Sequence, residues 1–233
     1  MNYWNNIDAD LTKLLQNGYV KLPSIFNTEL RSSVYRSCLD EIAENTYAEN
    51  LPSNIEFVKN FGILENLKPK LFEIGQKYFS KNISCEDVYN ICRLVRPGDE
   101  NEGYRGHFDS HLFTLVTPIN IPDNENIEHG GQLHIYPKAR PYPKNEVTNI
   151  YGKARYKSYN SEKGFEALGK KTQMLTNDFN DYRPLLFIGN TTFHGNSPIQ
   201  SNSIGNRMTI LTHFFDPSPR FGVGRLVRKL RKR

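Results

Sequence analysis

The sequence predicts a mainly β fold with flanking helices, built as an antiparallel barrel or jelly roll. Three observations carry this prediction. Short runs of β-formers recur at 88–95, 112–116, 132–136, 185–188 and 208–215. Turn residues separate the runs, and none is paired with a crossover helix, so the strands are expected to pair antiparallel. The chain before residue 85 reads as mostly helical, which places helices outside a β core.

Taken in order, residues 7–17 form a short helix with Leu11, Leu14 and Leu15 on one face, and Gly18 stops it. Residues 19–22 read as a strand ended by Pro23. Asn27 or Thr28 caps a helix running to about residue 43. Another helix fits 67–79, with Leu71, Ile74 and Tyr78 at helical spacing. The run VYNICRLV at 88–95 ends on the turn signal Arg96-Pro97-Gly98. Between the β runs lies an insert, 137–184, rich in Lys, Tyr, Asn and Pro. It carries ten basic residues against five acids. A connection this long is a substrate lid or a disordered loop.

At 233 residues and 27.0 kDa the chain is one domain, 1–219, with a basic tail, 220–233. The 13 Tyr and 14 Phe supply core material, which excludes disorder throughout. No apolar run is long enough to span a bilayer, and the polar start does not read as a signal peptide. Cys38, Cys85 and Cys92 lack zinc spacing and read as buried thiols of a cytoplasmic protein. The net charge of +5 is local: the tail holds seven basic residues and no acid, which leaves −2 for the rest. Leu226 and Leu230 give that tail a narrow apolar edge. It is either a solvated tail or a contact to an anionic membrane surface, peripheral on the inner face of a membrane.

The chemistry-bearing residues come next. In His107-Phe108-Asp109, an extended backbone projects the imidazole and the carboxylate from one face, as two ligands of one divalent metal. The pair alone is weak, because six histidines make one chance match close to even odds by usual residue frequencies. His194 adds a second imidazole, presented by a polar turn after the apolar run 185–188. Two histidines and one carboxylate leave three metal positions open. That facial triad suits non-haem Fe(II), dioxygen and a chelating co-substrate. Arg207-Met208-Thr209 follows, thirteen residues after His194. A guanidinium with a hydroxyl on the same strand face grips a carboxylate. Of the other histidines, His111 is substrate-facing or structural, His134 is undecided, His213 reads as structural although it shares parity with Arg207, and His129 reads as solvated.

The order HxD, Gly-Gly-x-Leu, distal His, Arg-x-Thr resembles the 2-oxoglutarate/Fe(II)-dependent oxygenase superfamily. Gly130-Gly131-Gln132-Leu133 is similar to the GGxL strand of its prolyl-hydroxylase-like branch. Gly18-Tyr19-Val20-Lys21-Leu22-Pro23 is similar to a lead-in strand of its phytanoyl-hydroxylase-like branch. The resemblance covers roughly 18–23 and 88–217 and leaves the insert and the tail unexplained. It implies a double-stranded β-helix (jelly roll, cupin-like) core. It implies His107, Asp109 and His194 as catalytic iron ligands, with Arg207 as the clamp on the distal carboxylate of 2-oxoglutarate and Thr209 as its helper. Leu133 would pack beside the co-substrate, and Tyr104 would contact co-substrate or substrate. The implied cofactors are Fe(II), 2-oxoglutarate and O2. The implied reaction is hydroxylation, with succinate and CO2 as co-products. The carboxylate of Asp109 sets the chain apart from radical halogenases, which carry a small residue there.

The basic insert and tail favour an anionic small-molecule or carbohydrate-like substrate, with the insert tyrosines (Tyr136, Tyr142, Tyr151, Tyr156, Tyr159) suited to a sugar. The alternatives are a protein side-chain hydroxylase of the same superfamily and a cupin-like metal- or sugar-binding module without oxygenase activity. Nucleic acid is a weak candidate, because the alkylation-repair branch has a second Arg where this chain has His213.

Overall fold

The structure, a computed structural model, describes residues 4, 6–24, 27–122 and 130–217. His129 and the tail at 220–233, with the membrane-surface reading attached to it, lie outside them. Among the described residues no helix is long and apolar enough to cross a membrane.

α1 (Ile7–Asn17) buries Ile7, Leu11 and Leu14 on one face. Gly18 ends it at a φ of 86°, its N–H closing on the Leu14 carbonyl at 2.7 Å, a left-handed cap that favours glycine. β1 (Tyr19–Lys21) follows. α2 (Thr28–Ile42) starts where the Asn27 side chain accepts the Leu30 N–H. Three elements differ from the sequence reading: β2 (Tyr47–Glu49), α3 (Pro52–Asn60) and a π turn (Ile63–Leu67) that runs into α4 (Lys68–Tyr78). Pro52 reads as a breaker, yet it sits in the first helical turn, where a missing N–H costs nothing. β2 is three residues long, with no apolar alternation to betray it.

The remaining strands are β3 (Val88–Val95), β4 (Phe113–Asn120), β5 (Leu133–Tyr136), β6 (Leu175–Asn177), β7 (Leu185–Ile188), β8 (Phe193–Asn196) and β9 (Arg207–Phe214). They form a six-stranded sheet, ordered β1-β7-β4-β9-β3-β2, and a three-stranded sheet, ordered β6-β5-β8. Every pairing is antiparallel. α1 to α4 cover the outside of the larger sheet, where Leu71, Cys92, Leu94, Ile210 and Phe214 join one core. Val116, Leu133, Ile135, Phe179, Leu185 and Phe187 form a second core between the sheets. Cys38 and Cys92 are buried free thiols, and Cys85 is half-buried.

The insert is ordered, which corrects the disordered alternative. It holds α5 (Glu146–Tyr156), α6 (Glu162–Gly169) and β6. Asn145 and Thr148 close a reciprocal capping box at the start of α5. Phe108, Tyr136, Phe165, Leu168 and Phe193 make a third core that fastens the insert to the sheets. The insert tyrosines therefore serve packing. Tyr136 is fully buried, Tyr156 packs on Phe108 and Phe193, and Tyr151 points outward. None of the five lines the central cavity, so the aromatic argument for a sugar is withdrawn.

Candidate active site

β9 is buried on both faces, and its alternation divides the chemistry. Met208, Ile210 and Phe214 face the helices, while Arg207, Thr209, Leu211 and His213 line a cavity of about 610 Å³ between the sheets. β3 contributes Ile91 and Arg93, β4 contributes Thr114 and Val116, and β5 contributes Leu133. The turn before β5 depends on Gly130 and Gly131, whose φ values are 76° and 78°. A Cβ on Gly130 would lie 1.8 Å from the Pro198 carbonyl oxygen, so no other residue fits.

The HxD segment is not a full strand. It makes a single bridge to β8, in which His107 N–H donates to His194 O and His194 N–H to His107 O, both at 3.0 Å. His194 itself lies on β8 rather than in a turn. The bridge holds the two imidazoles side by side, with ring centroids 4.4 Å apart. Asp109 is pinned by its N–H to the Gly189 carbonyl at 3.1 Å. Its carboxylate then stands 3.5 Å from His107 Nε2 and 3.6 Å from His194 Nε2. The ligand atoms of His107, Asp109 and His194 all fall within 4.8 Å of one another.

Tautomers follow from the partners. His107 Nδ1 lies 3.0 Å from the Arg105 carbonyl, and His194 Nδ1 lies 3.2 Å from the Thr192 carbonyl. A carbonyl can only accept, so both Nδ1 atoms carry a hydrogen and both Nε2 atoms face the carboxylate, as a lone pair when the ring is neutral and as a donor when it is protonated. Burial opposes the charge on Asp109, but His194, His213 and His107 outweigh it and hold its carboxyl well below the usual range. Burial pushes His194 down to about 4, leaving it a neutral imidazole. This donor set fits a divalent metal such as Fe(II).

His107 behaves differently. Its side chain is 59% exposed at the cavity mouth. Burial works to lower its pKa, but the Asp109 hydrogen bond and charge outweigh it and raise the pKa above 6.5. At pH 6.5 more than half of the metal-free protein therefore carries a proton on His107. Binding of Zn(II) at that pH is expected to release more than half a proton per metal, and less as pH rises. Titration heats in buffers of different ionisation enthalpy measure this, and a release that grows with pH contradicts it.

Thr114 orients the carboxylate. Its Oγ1 donates to Asp109 Oδ2 at 2.5 Å and lies 3.0 Å from His213 Nδ1. With its one hydrogen committed to Asp109, Thr114 accepts from His213 Nδ1–H. His213 lines the cavity 3.8 Å from Asp109, where its bond to Thr114 gives it a supporting place beside the carboxylate. The signal was present: it shares strand parity with Arg207. Thr114→Val removes this support without changing side-chain shape. It is expected to weaken metal binding about 10- to 100-fold, the usual effect of an outer partner, as read by Co(II) titration.

At the other end, Arg207 is 3% exposed, and among the described residues its guanidinium makes no ion pair. Its Nε is buried without a hydrogen-bond partner. Burial and then Arg93 push it down to about 9, which leaves it a cation at neutral pH. Thr209 and Leu133 line the cavity beside it. Arg93 is already committed: it pairs with Glu102 at 3.0 Å, which also takes Arg105 at 2.6 Å and the Tyr47 hydroxyl. Arg93 escaped the sequence reading, although a lone arginine inside an apolar strand was its signal.

Tyr104 is a correction. It does not line the cavity. Its hydroxyl donates to Glu162 at 3.2 Å and its ring stacks on His134, because Phe165 of α6 draws it into the insert core. His111 also lies off the cavity, stacked on Tyr89 and His213.

No family model and no curated protein matches the chain. Solved structures do match. A prolyl-4-hydroxylase from Pseudomonas putida is 15% identical, with 88% of this chain and 96% of that chain covered at a TM-score of 0.53. EctD from S. alaskensis with bound Fe is 12% identical, with 90% and 76% covered at 0.56. The non-heme alpha ketoglutarate dependent carbocyclase SnoK from nogalamycin biosynthesis is 9% identical, with 94% and 89% covered at 0.52. At such identities the likeness establishes a common fold, the cupin-like double-stranded β-helix.

Proposed function

We propose that this chain is an Fe(II)- and 2-oxoglutarate-dependent dioxygenase that hydroxylates a small anionic substrate and yields succinate and CO2. One arrangement carries the reading: two Nε2 atoms and one carboxylate converge in a cavity that also holds a buried arginine with no ion pair among the described residues. A cupin-like binding module has no need of that arginine. The solved relatives include enzymes named as prolyl hydroxylase and alpha ketoglutarate dependent carbocyclase, which agrees with the proposal.

His107, Asp109 and His194 would hold the metal, and when bound it supplies dioxygen activation and C–H oxidation. The chain does the rest. Arg207 and Thr209 take the far carboxylate of 2-oxoglutarate, which sets its keto end toward the triad. Leu133, Val116 and Leu211 exclude water between the two ends. The Arg105 and Thr192 carbonyls hold the hydrogen of both rings on Nδ1 and aim both Nε2 atoms at the Asp109 carboxylate. The cavity of about 610 Å³ lies within the usual range for small-molecule sites. The cationic Lys153 and Lys157 on its wall favour an anionic small molecule over a peptide side chain.

The test is direct. Anaerobic protein given Fe(II) and 2-oxoglutarate should show the weak visible charge-transfer band of the chelate. Admitting oxygen should then release succinate. A well-folded protein that shows neither effect is not this enzyme.

A further inference from the structure

A metal site needs its ligands held still, yet His107 and Asp109 lie on a segment with a single bridge to β8. Resting on the metal-binding reading, we propose that Arg140 of the insert is a positioning residue for the triad. Its guanidinium braces the turn between β7 and β8 together with the Phe108 ring, and through them it sets Asp109 and His194.

That turn fixes both ligands. The Gly189 carbonyl accepts the Asp109 N–H at 3.1 Å, and the Thr192 carbonyl accepts His194 Nδ1–H at 3.2 Å. Arg140 grips the two residues between them. Its Nε donates to the Asn190 carbonyl at 2.9 Å, and its backbone N–H donates to the Thr191 carbonyl at 3.4 Å. Little slack separates turn from ligand: a Cβ on Gly189 would lie 2.9 Å from Asp109 Cβ and 2.8 Å from Thr114 Oγ1. A displaced turn therefore displaces the carboxylate or its support.

The same guanidinium reaches the HxD segment directly. It lies 4.0 Å over the ring of Phe108, which stands between the two ligands in sequence. From α5, the Tyr156 ring meets Phe108 edge-on at 4.9 Å, and Lys153 donates to Ser110 Oγ at 3.3 Å. Residues 108 and 110 flank Asp109, so the insert holds the segment on both sides of this ligand.

Arg140 is anchored in its turn. Nη1 and Nη2 donate to the Asn149 carbonyl and to Asn149 Oδ1 on α5, at 3.1 and 2.8 Å. Within α5 stands Gly152, although alanine is the better helix former. A Cβ there would come 2.5 Å from Arg140 Nη1, so the glycine makes room for the guanidinium. Burying a cation is costly, and Arg140 is 8% exposed. An apolar side chain would fill the same space, but only the planar fork bonds turn and helix while stacking on a ring.

The test reads geometry rather than turnover. In metal-free protein, Arg140→Met and Gly152→Ala should both speed hydrogen exchange of the Asp109 amide relative to the amides of β9. Gly152→Ala keeps every charge and favours the helix, displacing only the guanidinium, so it decides the matter if Arg140→Met does not fold. With Co(II) bound, both variants should shift the visible ligand-field bands. Affinity should fall about tenfold, the low end for an outer partner, because Arg140 acts one bond further out. Ile42→Ala loosens the helical layer instead and should move neither readout. Exchange and bands that match wild type in both Arg140→Met and Gly152→Ala, or that move equally in Ile42→Ala, overturn the brace. Wild type that takes up no Co(II), while its Asp109 amide still responds to both substitutions, upholds the brace and counts against the metal-binding reading.

Discussion

The Asp109→Asn protein is expected to keep its fold, to bind Fe(II) more than 100-fold more weakly and to release no measurable succinate. The carboxamide has the same shape as the carboxylate, and Thr114 can still donate to its oxygen, so packing around this buried position changes little. What disappears is the single negative charge among His107, His194 and His213. An outer-shell partner alone is worth about 10- to 100-fold in metal affinity, and the only anionic ligand is worth more. A second readout needs no metal. The Asp109 bond and charge are what raise His107, so in the variant burial prevails and His107 titrates below 6.5 by NMR. A variant that binds Fe(II) within tenfold of wild type would place the metal elsewhere.

The triad was legible because its chemistry is local. A two-residue spacing on extended backbone reads directly from His107 and Asp109, and His194 follows the apolar run 185–188 by six residues, on a short strand of its own. The placement of Arg207 and Thr209 on one cavity wall was legible for the same reason, since they share a strand face. What sequence could not supply was the register between strands. Arg93 stands opposite Thr209, and Thr114 opposite His213, only because β3 and β4 flank β9 in those registers. Tyr104 failed for a related reason: a ring beside the HxD segment has two places to go, and the apolar Phe165 of α6, 61 residues later, decides which. The insert reads as a substrate lid or a disordered loop because its tyrosines and lysines look polar in bulk. Its capping box at Asn145 and its apolar Phe165 and Leu168 were the folding signals.

Arg207→Met should separate stability from function, since the two pull against each other at this position. In the absence of co-substrate, wild type buries a guanidinium that meets the Phe179 ring at 5.8 Å and no carboxylate among the described residues. Burial first, then Arg93, lowers its pKa to about 9. A base depressed in the folded state binds fewer protons there than in the unfolded chain. Its penalty is thus full below about pH 9 and relieved as pH rises from there toward the ordinary guanidinium range. Methionine fills similar volume and removes the charge. Replacing a buried, poorly compensated ion by an apolar side chain is neutral or stabilising by about 1–4 kcal/mol. The melting temperature of the variant without 2-oxoglutarate should therefore equal or exceed that of wild type. Binding should move in the opposite direction. A two-pronged contact to a desolvated carboxylate is lost, and 2-oxoglutarate affinity should fall on the order of 100-fold, about 2.7 kcal/mol. Wild type should consequently gain more in melting temperature from saturating 2-oxoglutarate and metal than the variant does. Thermal scans of both proteins, with and without 2-oxoglutarate, supply all four values. A variant that melts well below wild type in the absence of ligand would assign Arg207 to the fold rather than to the co-substrate.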